Sequence, residues 1–181
     1  MTRTPRSETG ALGSPLVDGL QIRAMTQEEF SSYRRRVISH YAAELARTGA
    51  STAEEAEQRA AKESDQFLPD GLDTAGMALL VGEAGGEVVG LVWVGPAPAG
   101  RAGWWIYDIE VVPDRRGQGY GRALLEAAER EAQHRGAVSI GLDVFGGNDV
   151  ALGMYESSGY EVAATRMLKR FAASSGPDHL Q

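Results

Sequence analysis

The stretch from Asp108 to Leu125 constrains this 181-residue chain more than any other. A strand-like apolar run, Trp104 to Val112, enters a turn with glycines at 117, 119 and 121. The turn runs straight into an amphipathic helix expected from about Gly121 to Arg135. Glycines at that spacing let the backbone turn sharply and approach a ligand with no Cβ in the way. Amides at a helix N-terminus, with the positive end of the helix dipole behind them, form an anion site. Arg116 and Arg122 add charge beside it, and a pyrophosphate is the guest such a turn fits. A plain strand–turn–helix corner, with glycines for tight packing, remains open. A dinucleotide fold is weakened, because no run of βα units follows and no ribose-binding acid stands at the expected spacing. A Walker A loop fails, since no Lys-Ser or Lys-Thr closes the turn.

The rest of the chain reads as strand, two helices, three strands, helix, strand, helix, strand. Met1 to Asp18 reads as a disordered leader, low in aromatic and β-branched residues. Leu20 to Ala24 is a short first strand. Thr26 with Glu29 three residues on makes a capping box for a helix that ends near Gly49. Ser51 is expected to cap a second helix to about Glu63. Met77 to Glu83 and Glu87 to Val94 are strand-like, and Gly85-Gly86 between them signals a hairpin. A loop from Gly95 to Gly103 precedes the Trp104 strand. Val138 to Val144 reads as a strand, Asp149 to Ser158 as a short helix, Tyr160 to Lys169 as a last strand. Ala172 to Gln181 reads as a flexible tail. The order predicts one domain over residues 19–171, an α/β (α+β) fold with a mixed sheet covered by helices.

Charge and composition narrow the chemistry. A net charge of -7 argues against a nucleic-acid partner, which needs clustered Lys and Arg. It mildly favours a cationic acceptor such as an amine, although an acidic balance also serves solubility. The chain has no cysteine, which excludes disulfides, zinc–cysteine sites and an acyl-cysteine intermediate. No apolar h-region opens the chain and no segment has the apolar length of a membrane span, so the expected compartment is the cytoplasm. His40, His134 and His179 form no catalytic set, and no metal site is expected.

Two blocks carry a specific likeness. Val111-x-Pro113-x-x-Arg116-Gly117-x-Gly119-x-Gly121-x-x-Leu124-Leu125 resembles motif A of the GNAT superfamily of N-acetyltransferases. Leu142-Asp143-Val144, then Asn148, Ala151, Met154-Tyr155 and Gly159-Tyr160, resembles that family's following block in the same order. The likeness spans roughly residues 20 to 170, and Tyr107 to Glu110 with Val144 to Asn148 resembles a subgroup of bacterial members. It implies a mostly antiparallel, twisted sheet of about six strands flanked by helices.

It also implies acetyl-CoA as acyl donor, without a metal, and transfer to a primary amine on a small molecule or peptide. A homodimer is compatible with it; a nucleic-acid or membrane partner is not implied. The amides of Gln118, Gly119, Tyr120, Gly121 and Arg122, with Arg116 and Gly117, would hold the pyrophosphate. The backbone of Ile109 and Val111 would pair with the pantetheine arm where the strand splays from its neighbour. Asn148 would contact the same arm, or serve only as a helix cap. Tyr155 would protonate the leaving thiolate, or only pack. Asp108, Glu110 and Asp143 are the candidate bases, or merely solvated strand acids. Alternation puts Asp108 and Glu110 on one face of their strand, opposite Ile109 and Val111. The acceptor site is expected among the helix pair and the loops Gln66 to Gly76 and Gly95 to Gly103. Attack by the amine is expected to be direct. A non-catalytic acyl-CoA-binding or sensor domain, and a transferase for a longer acyl-CoA, are the alternatives.

Overall fold

Residues 17–47 and 52–165, with Met167 and Lys169, are described by the computed structural model. The helix end near Gly49, the Ala172 to Gln181 tail and most of the expected leader lie outside the described residues. Two compact units divide between Phe145 and Gly146.

The first unit holds β1 (Leu20–Ala24), α1 (Gln27–Arg47), α2 (Ala53–Phe67), β2 (Ala78–Ala84), β3 (Glu87–Pro96), β4 (Trp104–Val111), α3 (Tyr120–His134) and β5 (Ile140–Leu142). They form a five-stranded sheet in the order β1-β2-β3-β4-β5. The first four strands run antiparallel, and β5 joins β4 in parallel. A parallel neighbour needs a crossover, and α3 supplies it. The Gly85-Gly86 hairpin has both residues at positive φ, 62° and 81°, as a two-residue turn of its type requires.

Each face of the sheet has its own core. Met25, Phe30, Tyr33, Leu68, Leu79, Val81 and Leu91 pack together on the side of α1 and α2. Leu20, Val89, Tyr120 and Ala123 form the core beneath α3, where Leu124 and Leu125 are fully buried. Burial of a leucine is worth about 1.5–3 kcal/mol, so these two anchor the helix that follows the glycine turn.

Thr26 and Glu29 form the expected capping box: Thr26 N–H donates to Glu29 Oε2 at 2.8 Å, and Glu29 N–H to Thr26 Oγ1 at 3.3 Å. Arg23 of β1 adds two bonds to the same carboxylate, 2.9 and 2.8 Å, and one to Glu83 of β2 at 2.9 Å. One guanidinium thus ties two strands to the start of α1.

Two expectations are corrected. The cap of α2 is Thr52, in a reciprocal box with Glu55, instead of Ser51, and α2 runs on to Phe67. Among the described residues the sheet has five strands, and residues 160–165, which open the expected last strand, form none. Glu161, Ala163 and Ala164 are poor strand formers, and Val162 stays mostly exposed. The second unit contributes α4 (Asp149–Ser157).

The Arg23 bond pulls the Glu29 carboxyl down to about 2. A depressed carboxyl stabilises the fold above its unfolded value, roughly 4.3, and loses that contribution as pH falls towards 2. Glu29→Gln should therefore lower stability by about 1 kcal/mol at pH 7, the partly exposed setting keeping the effect modest. In urea denaturation the gap between wild type and variant should narrow steadily from pH 5 to pH 2.5. A gap independent of pH would show that the cap geometry, and not the ion pair, carries the effect.

Candidate active site

One extra residue in β4 organises the site. Trp93 of β3 pairs with Asp108, but the next residue, Val94, pairs with Ile106, which leaves Tyr107 as a bulge. Two residues of the bulged strand then oppose one on its partner. Tyr107 stacks on Trp93, centroids 4.6 Å apart, while the Tyr33 hydroxyl of α1 donates to Asp108 Oδ2 at 2.9 Å. Tyr107, Asp108 and Glu110 therefore share the α1 face, and Ile106, Ile109 and Val111 turn towards α3. The expected alternation of Asp108 and Glu110 against Ile109 and Val111 is what the sheet shows.

The same bulge leaves β4 half open. β5 pairs only with Trp104, Trp105 and Ile106, so no strand among the described residues lies beside Tyr107 to Val111 on that side. β5 is accordingly shorter than the expected Val138 to Val144. Val112 N–H donates to Val89 O at 3.0 Å, a hydrogen-bonded pair. Pairs alternate along an antiparallel ladder, so the N–H and C=O groups of Val111 and Ile109 point away from β3, towards the open side. There Arg116 Nε donates to Val111 O at 3.2 Å.

The open edge leads directly into the glycine turn. A 3-10 turn, Pro113–Arg115, brings the chain round, and Gly117 and Gly119 follow at φ 73° and 88°. Gly119 is the N-cap of α3 in the left-handed region and carries no side chain to cap the helix. The turn thus brings the backbone amides of Gln118 to Arg122 to the N-terminus of α3, the end where a helix dipole favours an anion. Arg116 and Gly117 to Gly119 are exposed, whereas the Tyr120 ring is buried in the core and offers only its backbone. Gln118 Nε2 donates to Asp114 O at 3.2 Å. Arg122 is exposed on the first turn.

The three candidate bases differ in company. Asp108 accepts from Tyr33, whose hydroxyl is held well above the ordinary phenol range, first by burial and then by the Asp108 carboxylate. Tyr33 thus stays a proton donor. Glu110 pairs with Arg36 of α1 at 2.8 Å. Asp143 lies just past β5, paired with Arg101 at 3.2 Å and 75% exposed. In the second unit Asn148 is the N-cap of α4, its Oδ1 accepting from Ala151 N–H at 3.3 Å. Tyr155, two turns on, is buried against Tyr160, ring centroids 5.8 Å apart.

Sequence reasoning missed Tyr33, Trp93 and Phe67. Tyr33 reads as one apolar position at helical spacing, and nothing local says that its hydroxyl meets a strand 75 residues on. A cavity of about 550 Å³ lies among Phe30, Arg34, Ile38, Ala61, Asp65 and Leu68 on α1 and α2, with no residue of β4 in its lining.

The family model "Acetyltransferase (GNAT) family" matches residues 37–160, more than half of the chain. This chain belongs to the GNAT acetyltransferase family. Similar GNAT relatives include YycN of Bacillus subtilis (strain 168), an uncharacterized N-acetyltransferase, 29% identical over 83% of this chain and 98% of YycN. The mycothiol acetyltransferase of Propionibacterium freudenreichii subsp. shermanii is 38% identical over 65% of this chain and 35% of its own length. The crystal structure of YycN superposes with a TM-score of 0.70 at 28% identity, over 85% of this chain and 99% of that one. Among the described residues no helix is long and apolar enough to cross a membrane.

The open half of β4 is held between β3 and α3 at one glycine. Gly90 pairs with Val111, and a Cβ there would lie 2.4 Å from Glu110 O and 2.7 Å from Leu124 Cδ1. Gly90→Ala should cost about 3 kcal/mol by overpacking, lowering Tm by roughly 10 °C. Calorimetric melting within a degree or two of wild type would show that β4 and α3 can part without cost.

Proposed function

We propose that this protein transfers the acetyl group of acetyl-CoA to a primary amine by direct attack, without an acyl-enzyme. The observation that carries the reading is the open edge of β4 running straight into the glycine turn at the start of α3. An extended pantetheine arm can add to that edge as a strand, donating to and accepting from the backbone of Ile109 and Val111. The amides of Gln118 to Arg122 would then take the pyrophosphate, with Arg116 beside it. Arg116 already lies across the Val111 carbonyl, so the Val111 N–H is the group left for the arm or the thioester oxygen. An amide aimed at that oxygen stabilises the charge that develops on it. Asn148 can cap α4 through Oδ1 and still offer its amide N–H groups to the donor.

In the reaction the amine nitrogen forms a bond to the acetyl carbon as the C–S bond breaks. The ammonium must first lose a proton, for which Asp108, held by Tyr33, is our preferred acceptor, with Glu110 and then Asp143 after it. The leaving thiolate must gain a proton, and Tyr155 is our preferred donor. A phenol suits the task, because a thiolate of pKa ~8.5 accepts a proton readily.

Thiol release from acetyl-CoA across a panel of amines tests the proposal, with calorimetry of CoA binding alongside. Tight CoA binding without release on any amine would leave a binding domain instead of an enzyme. Tyr155→Phe should lower kcat on the order of a hundredfold or more with little change in the KM for acetyl-CoA. An unchanged kcat would reduce Tyr155 to packing. With an acceptor in hand, Asp108→Asn should depress the rate mainly on the low-pH limb of the profile, where neutral amine is scarce, and Glu110→Gln less so. If both variants and Asp143→Asn keep the wild-type profile, the protein needs no side-chain base and takes amines already neutral.

A further inference from the structure

Beside Asp108 stands an aromatic group that the transfer chemistry does not use. Trp93 and Tyr107 stack nearly parallel, 19° between planes, and Phe67, the last residue of α2, meets both edge-on at 6.3 and 5.7 Å. Two of the three are pinned at their polar ends. The Tyr107 hydroxyl donates to Pro96 O at 2.6 Å, and Trp93 Nε1 points to Met77 Sδ at 3.4 Å. Phe67 is left 43% exposed, although a surface phenylalanine has nothing to gain from solvent. The bulge sets Tyr107 and Asp108 side by side, both opposite Trp93. Rings and carboxylate therefore share one face of the sheet at the start of the open edge.

Charge argues about what kind of amine this face accepts. Glu110 is paired with Arg36, Asp143 with Arg101 and Asp65 with Arg34. Three of the acids around the region are thus already neutralised, which disfavours an acceptor carrying several ammonium groups. One carboxylate beside three rings instead matches a single ammonium joined to a flat apolar body, the ammonium at Asp108 and the body against Phe67 and Tyr107.

We infer that the acceptor is a primary amine carrying one aromatic group a few bonds from its nitrogen, recognised by Phe67, Trp93 and Tyr107 with Asp108. The inference rests on the acetyltransferase reading above and names the substrate class of that site. The transfer balances as an ammonium and an acetyl thioester giving an N-acetyl amine, a free thiol and one proton. The nitrogen lone pair forms the C–N bond, and sulfur keeps the C–S pair and is protonated.

The test compares kcat/KM for 2-phenylethylamine, n-propylamine and spermidine, all with acetyl-CoA. A dipeptide with N-terminal phenylalanine, set against one with N-terminal alanine, forms a second arm for a peptide source of the same chemistry. We expect the aryl member of at least one arm to exceed its alkyl counterpart by about tenfold or more, and spermidine to be poor. The arm that shows the preference identifies the source. Phe67→Ala should cut that aryl-to-alkyl ratio by about tenfold, and Tyr107→Leu likewise, whereas Tyr107→Phe should keep it. An aryl-to-alkyl ratio near one, a preference for spermidine, or a ratio unmoved by Phe67→Ala overturns the inference while the acetyltransferase reading stands. No thiol release with any amine fells the acetyltransferase reading and the inference with it.

Discussion

The single extra residue at Tyr107 is the constraint on which the rest of the first unit depends. Side chains along a strand alternate with a period of two, so an inserted residue resets which face every later residue occupies. Ile106 lies under α3, and without the bulge Asp108 would follow it there. With the bulge, Asp108 and Glu110 come out beneath α1, where Tyr33 and Arg36 receive them. The bend also carries β4 away from β5 after three paired residues. One face that carries both carboxylates and rings, and an open backbone edge beside it, thus arise from one insertion.

Much of this was legible in the sequence because the signals are local. The glycine turn, the capping box of Thr26 with Glu29, the Gly85-Gly86 hairpin and the alternation around Asp108 are decided within a few residues. Where local chemistry is degenerate, the reading slipped. Ser51 has Glu54 three residues on and Thr52 has Glu55, so two capping boxes are spelled side by side in the sequence, and the helix takes the second. The last strand misled for the opposite reason: Tyr160 and Val162 suggest a strand, but Glu161, Ala163 and Ala164 give it little to hold. Contacts between distant segments were not legible at all. The Tyr33–Asp108 bond and the Phe67–Trp93–Tyr107 group join elements that only the folded sheet brings together.

Net charge also proved a poor guide to local field. The chain carries -7 overall, yet acids of the α1 face meet arginines spaced along that helix, Arg34 and Arg36. Exposed pairs of this kind contribute little stability, about 0–1 kcal/mol, but they remove charge from the neighbourhood. Asp108 is held by a neutral phenol, a partner that orients a carboxylate without cancelling its charge.

The half-open β4 has a consequence for the protein's behaviour at high concentration. A row of backbone donors and acceptors without a neighbouring strand is a template for any extended chain, including another copy of this one. The exposed row is short, it is bent at the bulge, and Arg116 lies over one of its carbonyls, three devices that limit such pairing. Anything that lays an extended arm on this edge removes the template by mass action. The geometry that would let β4 take a donor's extended arm is thus also one that could pair with a second chain, and a donor bound there would block that pairing.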